Sequence, residues 1–177
     1  MSKEFIFYTS VNSYSVSDFI EALEAAKNDD IVIRMNTPGG SVYDGYGLVA
    51  KFKEFPNEKR IKVDGRADSF GAFMLCFADS DKVSCLDVSR FTFHRAAMPS
   101  WFESDIRMFT DEIKAQLNSV NASLRGAIEG KVTAEKWKRV TGVSLDDMFS
   151  LNTRIDVTLT ALNEIGRAVQ QECRDRS

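Results

Sequence analysis

One histidine, His94, serves the whole 177-residue chain, alongside only three cysteines and three prolines. Any chemistry that needs an imidazole must use that residue. Cys76, Cys85 and Cys173 are odd in number and none forms a CxxC pair, so neither a disulfide framework nor a cysteine zinc site organises the chain. No run approaches the roughly 18 consecutive apolar residues of a membrane-spanning helix, and Met1-Ser2-Lys3-Glu4-Phe5 does not read as a signal segment. The expectation is a cytoplasmic protein. The formal net charge is −3 and long basic runs are missing, which gives no electrostatic reason to expect nucleic acid or an anionic membrane as partner.

What is present is enough apolar sequence, 44% of residues, for one domain with a substantial core. Residues 1–177 are expected to form that single domain. Phe5-Ile6-Phe7-Tyr8 reads as a strand, and Ser15 or Ser17 is the expected cap of a helix burying Phe19, Leu23 and Ala26. Ile31–Met35 is a nearly continuous apolar run, as in a strand covered on both faces, and leads into Asn36-Thr37-Pro38-Gly39-Gly40-Ser41. Pro38 and the glycine pair end that strand in a turn with exposed N–H groups, and Ser41 with Asp44 resembles a capping box.

A second unit of this kind runs through Ser69. Arg60–Asp64 alternates as a half-buried strand does, whereas Phe70, Phe73, Met74 and Phe77 recur at helical spacing, so Ser69 sits at a strand-to-helix turn. The first helical N–H groups lack intrahelical partners and favour negative charge, which suits an oxyanion beside Ser69. A serine there is also the commonest kind of N-cap, and on local pattern alone both readings stand. Strands follow at Lys82–Leu86 and Arg90–His94, then a long amphipathic helix from about residue 101 to 127 carrying Ile106, Phe109, Ile113, Leu117, Val120 and Leu124. That helix is expected to project and to pack on the domain or on another subunit. Lys131–Val140 is helix-prone with Trp137 as its anchor. A short helix ending at Gly166, a final strand at Arg167–Gln170 and a frayed tail at Gln171–Ser177 complete the expectation.

A hydroxyl nucleophile needs a base, the base needs a group that fixes its tautomer, and the reaction needs donors for the oxyanion. Ser69 and His94 occur in that order, and the Gly40 and Phe70 N–H groups are the natural donor pair at the carboxyl ends of neighbouring strands. Asn36–Val42, Gly65–Ala72 and Phe91-Thr92-Phe93-His94, in this order and at similar intervals, resemble the proteolytic subunit of Clp protease. The resemblance continues more weakly through the long helix, Thr141–Leu145 and residues 156–166.

That resemblance implies an α/β fold of ClpP/crotonase type, a spiral of repeated β-β-α units with a projecting handle helix. It implies a serine endopeptidase that needs no metal or cofactor, with Ser69 as nucleophile and His94 as base and acid. Gly40 and Phe70 would form the oxyanion hole, and Gly39 and Ser41 would offer a backbone edge to a polypeptide substrate. Asp156, three residues before Leu159-Thr160-Ala161, would be the acidic member, with Asp146 and Asp147 as competitors. A homo-oligomeric ring follows, and with it an AAA+ unfoldase or, for a phage-type relative, a capsid or scaffold protein as partner. The sequence departs from the family at Arg95-Ala96, where Gln-Pro is usual, at Ile155, where an arginine stands, and in extra residues at 126–139. It also shows no equivalent of the axial N-terminal segment before Phe5, which sets unfoldase coupling apart from the other expectations. Three other readings compete: a crotonase-type acyl-CoA enzyme, a non-catalytic ring subunit, and a Ser–Lys peptidase resembling signal peptide peptidase A.

Overall fold

In a computed structural model of the chain, residues 2–79, 82–97, 111–152 and 154–160 are described. The expected start of the handle helix at 101–110, the helix ending at Gly166, the strand Arg167–Gln170 and the tail Gln171–Ser177 lie outside those residues. Two compact units emerge, one of the residues up to Phe93 with those from Thr158, the other spanning His94–Val157.

The first unit is an α/β layer. Its strands are β1 (Ser2–Phe7), β2 (Asp30–Thr37), β3 (Lys59–Asp68), β4 (Val83–Cys85), β5 (Arg90–Phe93) and β6 (Val157–Thr160), the last straddling the division. Their order in the sheet is β1-β2-β3-β5-β6, with β4 also beside β3. Parallel pairing joins β1 to β2, β2 to β3, and β3 to both β4 and β5. Parallel neighbours require crossovers, which are the helices α1 (Ser13–Ala25), α2 (Val42–Glu54) and α3 (Phe70–Phe77).

Each helix begins where the chain supplies a cap or a turn. Asn12, not Ser15 or Ser17, caps α1: its side chain accepts from Tyr14 N and Ser15 N, while the Ser15 hydroxyl accepts from Asn12 N. Ser15 is thus the answering half of a capping box. Buried Val16, Phe19 and Leu23 follow at threes and fours, and the Phe19 ring stands edge-on to Phe5 and Phe7 at 5.7 and 6.3 Å. Ser41 caps α2 by accepting from Asp44 N, and α2 buries Leu48, Val49 and Phe52. The short α3 is buried on almost every side, from Phe70 to Leu75.

The expectation that β2 is covered on both faces needs correction. Ile31, Ile33, Met35 and Thr37 are buried, but Val32, Arg34 and Asn36 are only half-buried. The reason lies across the pair β2–β3, where Arg34 Nε and Nη2 donate to both oxygens of Asp64 at 2.6 and 2.7 Å, and Tyr8 adds its hydroxyl to Asp64 at 2.7 Å. One sheet face therefore carries a charged network, and the other packs on the helices.

In the second unit α4 (Asp111–Glu129) buries Leu117, Asn121, Leu124, Ala127 and Ile128, and ends at Glu129, past the expected 127. Thr133 caps α5 (Ala134–Thr141), which stops at left-handed Gly142, and Ser144 caps α6 (Leu145–Phe149). Trp137, Leu145 and Met148 are buried beside them. Arg125 of α4 donates to Glu129 at 2.8 Å and to Asp146 at 2.6 Å. Among the described residues no helix is long and apolar enough to cross a membrane.

Candidate active site

A register shift brings the glycine turn to Ser69. Met35 pairs with Val63, but two residues later Thr37 pairs with Ala67, so β3 uses four residues where β2 uses two. The surplus is accommodated at Gly65 and Asn36: Asn36 Oδ1 accepts from Arg66 N at 3.2 Å, and a Cβ on Gly65 would stand 2.9 Å from that oxygen. After this bulge Gly39 lies against Ser69. A Cβ on Gly39 would be 2.6 Å from Ser69 Cβ and 2.8 Å from Phe70 N, which only glycine avoids.

Ser69 itself adopts φ 54° and ψ −126°, and it is the one non-glycine residue with positive φ among the described residues. Its side chain makes no capping hydrogen bond to α3. Both facts depart from an ordinary N-cap, which sits in extended backbone and uses its hydroxyl as acceptor. A strained strand-to-helix turn whose serine makes no capping bond is a geometry that a nucleophile elbow shares. The elbow is pinned by Ser69 N, which donates to Thr92 O at 2.7 Å, and by Ser69 O, which accepts from Ala72 N at 3.0 Å. The Phe70 ring is held edge-on to Tyr46 at 5.7 Å over Gly45, where a Cβ would overlap the ring.

The glycine turn is equally fixed. Gly39 and Gly40 have φ of 80° and 151°, both unfavourable to side chains. Val11 forms a parallel bridge with Gly40, its N–H donating to Gly39 O at 2.8 Å and its carbonyl accepting from Ser41 N at 2.9 Å. In a parallel bridge the bracketed residue turns its own N–H and C=O to the opposite side, so Gly40 presents both groups away from Val11. The Gly39 carbonyl and Ser41 N–H are engaged internally, and Gly40 holds the outward edge. The Phe70 N–H belongs to the first turn of α3, which leaves it without an intrahelical acceptor.

Within the second unit, His94 is half-buried and its Nδ1 lies 2.7 Å from Arg95 O. A carbonyl only accepts, so Nδ1 is the donor here, and in the neutral ring this tautomer leaves the lone pair on Nε2. Arg95 is buried and donates to Ala96 O at 3.0 Å, and Ala96 N donates to Asn121 Oδ1 at 2.7 Å. Alanine, unlike proline, has that N–H to give. Asp156 is half exposed and accepts from Arg154 Nε at 3.3 Å. The competitors are committed elsewhere, Asp146 to Arg125 and Asp147 to the Ser144 hydroxyl at 2.6 Å.

Ser69, Phe70, Gly39, Gly40 and Ser41 are thus brought together within the first unit, and His94 and Asp156 hold separate partners within the second. Four residues at the site carry no sequence signal of their own role: Val11, Asn36, Thr37 and Asp68. Asn36 and Thr37 sit inside the recognisable turn motif, but their contacts depend on the bulge. Asp68, just before Ser69, accepts from Arg90 at 3.1 Å through Oδ2, while its buried Oδ1 has no hydrogen-bond partner among the described residues.

The Clp protease family model matches residues 2–145. The ATP-dependent Clp protease proteolytic subunit 1 of Synechococcus sp. (strain CC9902) is 37% identical over 107 residues, which are 60% of this chain and 53% of that protein. Subunit 2 of Parasynechococcus marenigrum (strain WH8102) is 38% identical over 104 residues, 56% of this chain and 52% of that one. Subunit 1 of Prochlorococcus marinus (strain NATL2A) is 36% identical over 107 residues, covering 60% and 54%. The chain spans about half the length of the curated relatives it matches.

Proposed function

The chain belongs to the Clp protease family, and from that membership we propose that it is a serine endopeptidase cleaving unfolded or accessible polypeptides through an acyl-enzyme on Ser69. The observation that carries the proposal is the elbow: positive φ at Ser69, no capping bond from its hydroxyl, and a glycine turn pressed against it. In this reading Ser69 Oγ attacks the scissile carbonyl carbon and gives its proton to His94 Nε2. The Gly40 and Phe70 N–H groups stabilise the tetrahedral oxyanion, and the substrate chain pairs along the Gly39–Ser41 turn through Gly40. His94 then protonates the departing amine, and water releases the acyl group by the same path in reverse. Asp156 serves as the acidic member, accepting a hydrogen bond from His94 Nδ1–H alongside Arg95 O. Asp146 is held by Arg125 and Asp147 by the Ser144 hydroxyl, and Asp156 by Arg154 through a longer contact.

The proposal extends to a ClpP/crotonase spiral with α4 in the handle helix, to residues 1–177 acting as one peptidase domain, to a homo-oligomeric ring and to a cytoplasmic location. Its partner is an AAA+ unfoldase, or a capsid or scaffold protein if the chain serves phage prohead processing. A crotonase-type acyl-CoA reaction would have no use for the strained serine. Labelling by a fluorophosphonate tests the reading: it is expected in the wild type and abolished in Ser69→Ala. Labelling that persists in the variant would sink the assignment.

A further inference from the structure

Building on the peptidase reading, we propose that Thr37 is a positioning residue for the reaction at Ser69, its hydroxyl fixing the oxyanion turn and its methyl fixing the start of α3. Thr37 ends β2, and its exposure is 0%. Its Oγ1 donates to Thr9 O at 2.6 Å and accepts from Gly39 N at 3.1 Å. The two bonds determine each other. A hydroxyl has one proton, and once that proton is spent on Thr9 the oxygen can only accept, which is what the Gly39 N–H requires.

Val11 already holds the Gly39 carbonyl, so with Thr37 on its N–H both backbone groups of Gly39 are fixed. The next N–H along, that of Gly40, then has its direction set by two anchors on the far side of the turn. The methyl of the same side chain faces the elbow, for a Cβ added to Gly71 would overlap Thr37 Cγ2. A β-branched side chain is stiff about χ1, so its hydroxyl and methyl cannot move independently. One residue therefore ties the donor turn to the helix that carries Phe70 N–H and the Ser69 hydroxyl.

Saturation kinetics of fluorophosphonate labelling test this on the full chain. Thr37→Val keeps the shape and removes the hydroxyl: the maximal labelling rate should fall roughly tenfold or more, with the half-saturating concentration unchanged, because displacement of the donors affects the reacting geometry and not reagent binding. Thr37→Ser keeps the hydroxyl but loses the methyl and the β-branch, so it should label more slowly than the wild type and faster than Thr37→Val. Gly71→Ala should slow labelling by pushing on Cγ2, and adding Thr37→Ser, which removes that carbon, should raise the rate to that of Thr37→Ser alone. The last pair decides the matter even if Thr37→Val does not fold. A wild-type rate in folded Thr37→Val, or no rescue of Gly71→Ala by Thr37→Ser, overturns the role of Thr37 alone. No labelling of the wild type overturns the peptidase reading, and this inference with it.

Discussion

Ser69 holds a backbone conformation that costs a non-glycine residue about 1–3 kcal/mol, and its hydroxyl recovers none of it through a cap. Such strain persists where surrounding contacts over-determine it, here Thr92 O on one side and the glycine turn on the other. Within that turn Gly39 lies against Ser69, and Gly40 is pressed against Val11. Alanine there would adopt φ 151° and drive its Cβ into Val11 O, so Gly40→Ala should reduce the labelling rate by about 10²-fold or more, the order expected for one lost oxyanion donor. Fluorophosphonate kinetics read the loss, and a circular-dichroism melt checks that the chain is still folded. A second prediction concerns Asp156. Where a carboxylate alone sets the tautomer of a catalytic histidine, its amide variant loses about 10⁴-fold. Arg95 O already holds His94 Nδ1–H, so Asp156→Asn should lose only roughly 10–10²-fold in kcat, measured on a chromogenic peptide. A fall as large as that of His94→Ala would return the whole orienting role to Asp156.

At the scale of elements, the pair β2–β3 is held by more than its ladder. Arg34 donates two hydrogen bonds to Asp64 and thereby lowers its carboxyl below the usual value of 3.8, and the Tyr8 hydroxyl acts in the same direction. A depressed carboxyl contributes stability that is fully present above its unfolded-state value and is lost as pH falls through the lower folded one. Melting curves from about pH 6 down to about pH 3 should show the wild type losing stability over that window. Asp64→Asn should be less stable at the upper end and flatter across the range. Equal slopes for both proteins would remove Asp64 from the acid response. The same element pair shows what was legible in the sequence and what was not. Ser69, Gly39 and Gly40 could be picked out because turn chemistry is local, and so could the strand and helix periods around them. Asn36, Thr37 and Val11 could not, since each acts on a partner some thirty residues away, Asn36 across the β2–β3 bulge and the other two across the β1 side of β2. The cap of α1 lies three residues before Ser15 and five before Ser17 for a milder reason: Ser15 does take part in the capping box, as the answering side chain.

For the whole molecule the open matter is what the long helix packs against. Its apolar stripe suits either the domain itself or a partner subunit, and Leu117, Leu124, Ala127 and Ile128 are buried in the single chain, Leu124 at 2% exposure. Burial of those residues therefore stabilises the chain itself, while Ile113 and Val120 of the same stripe are only half-buried. Leu124→Ala removes a buried side chain and leaves a cavity, at about 2–5 kcal/mol. If the stripe serves the chain's own core, that loss appears as a lower unfolding midpoint in urea at every protein concentration. If it serves a subunit contact, the loss shrinks as concentration rises and assembly is driven by mass action. The first outcome is the one expected. Light scattering on the same samples gives the assembly mass against the 19.9 kDa chain, and a ring that survives Leu124→Ala would place its interface away from this face of α4.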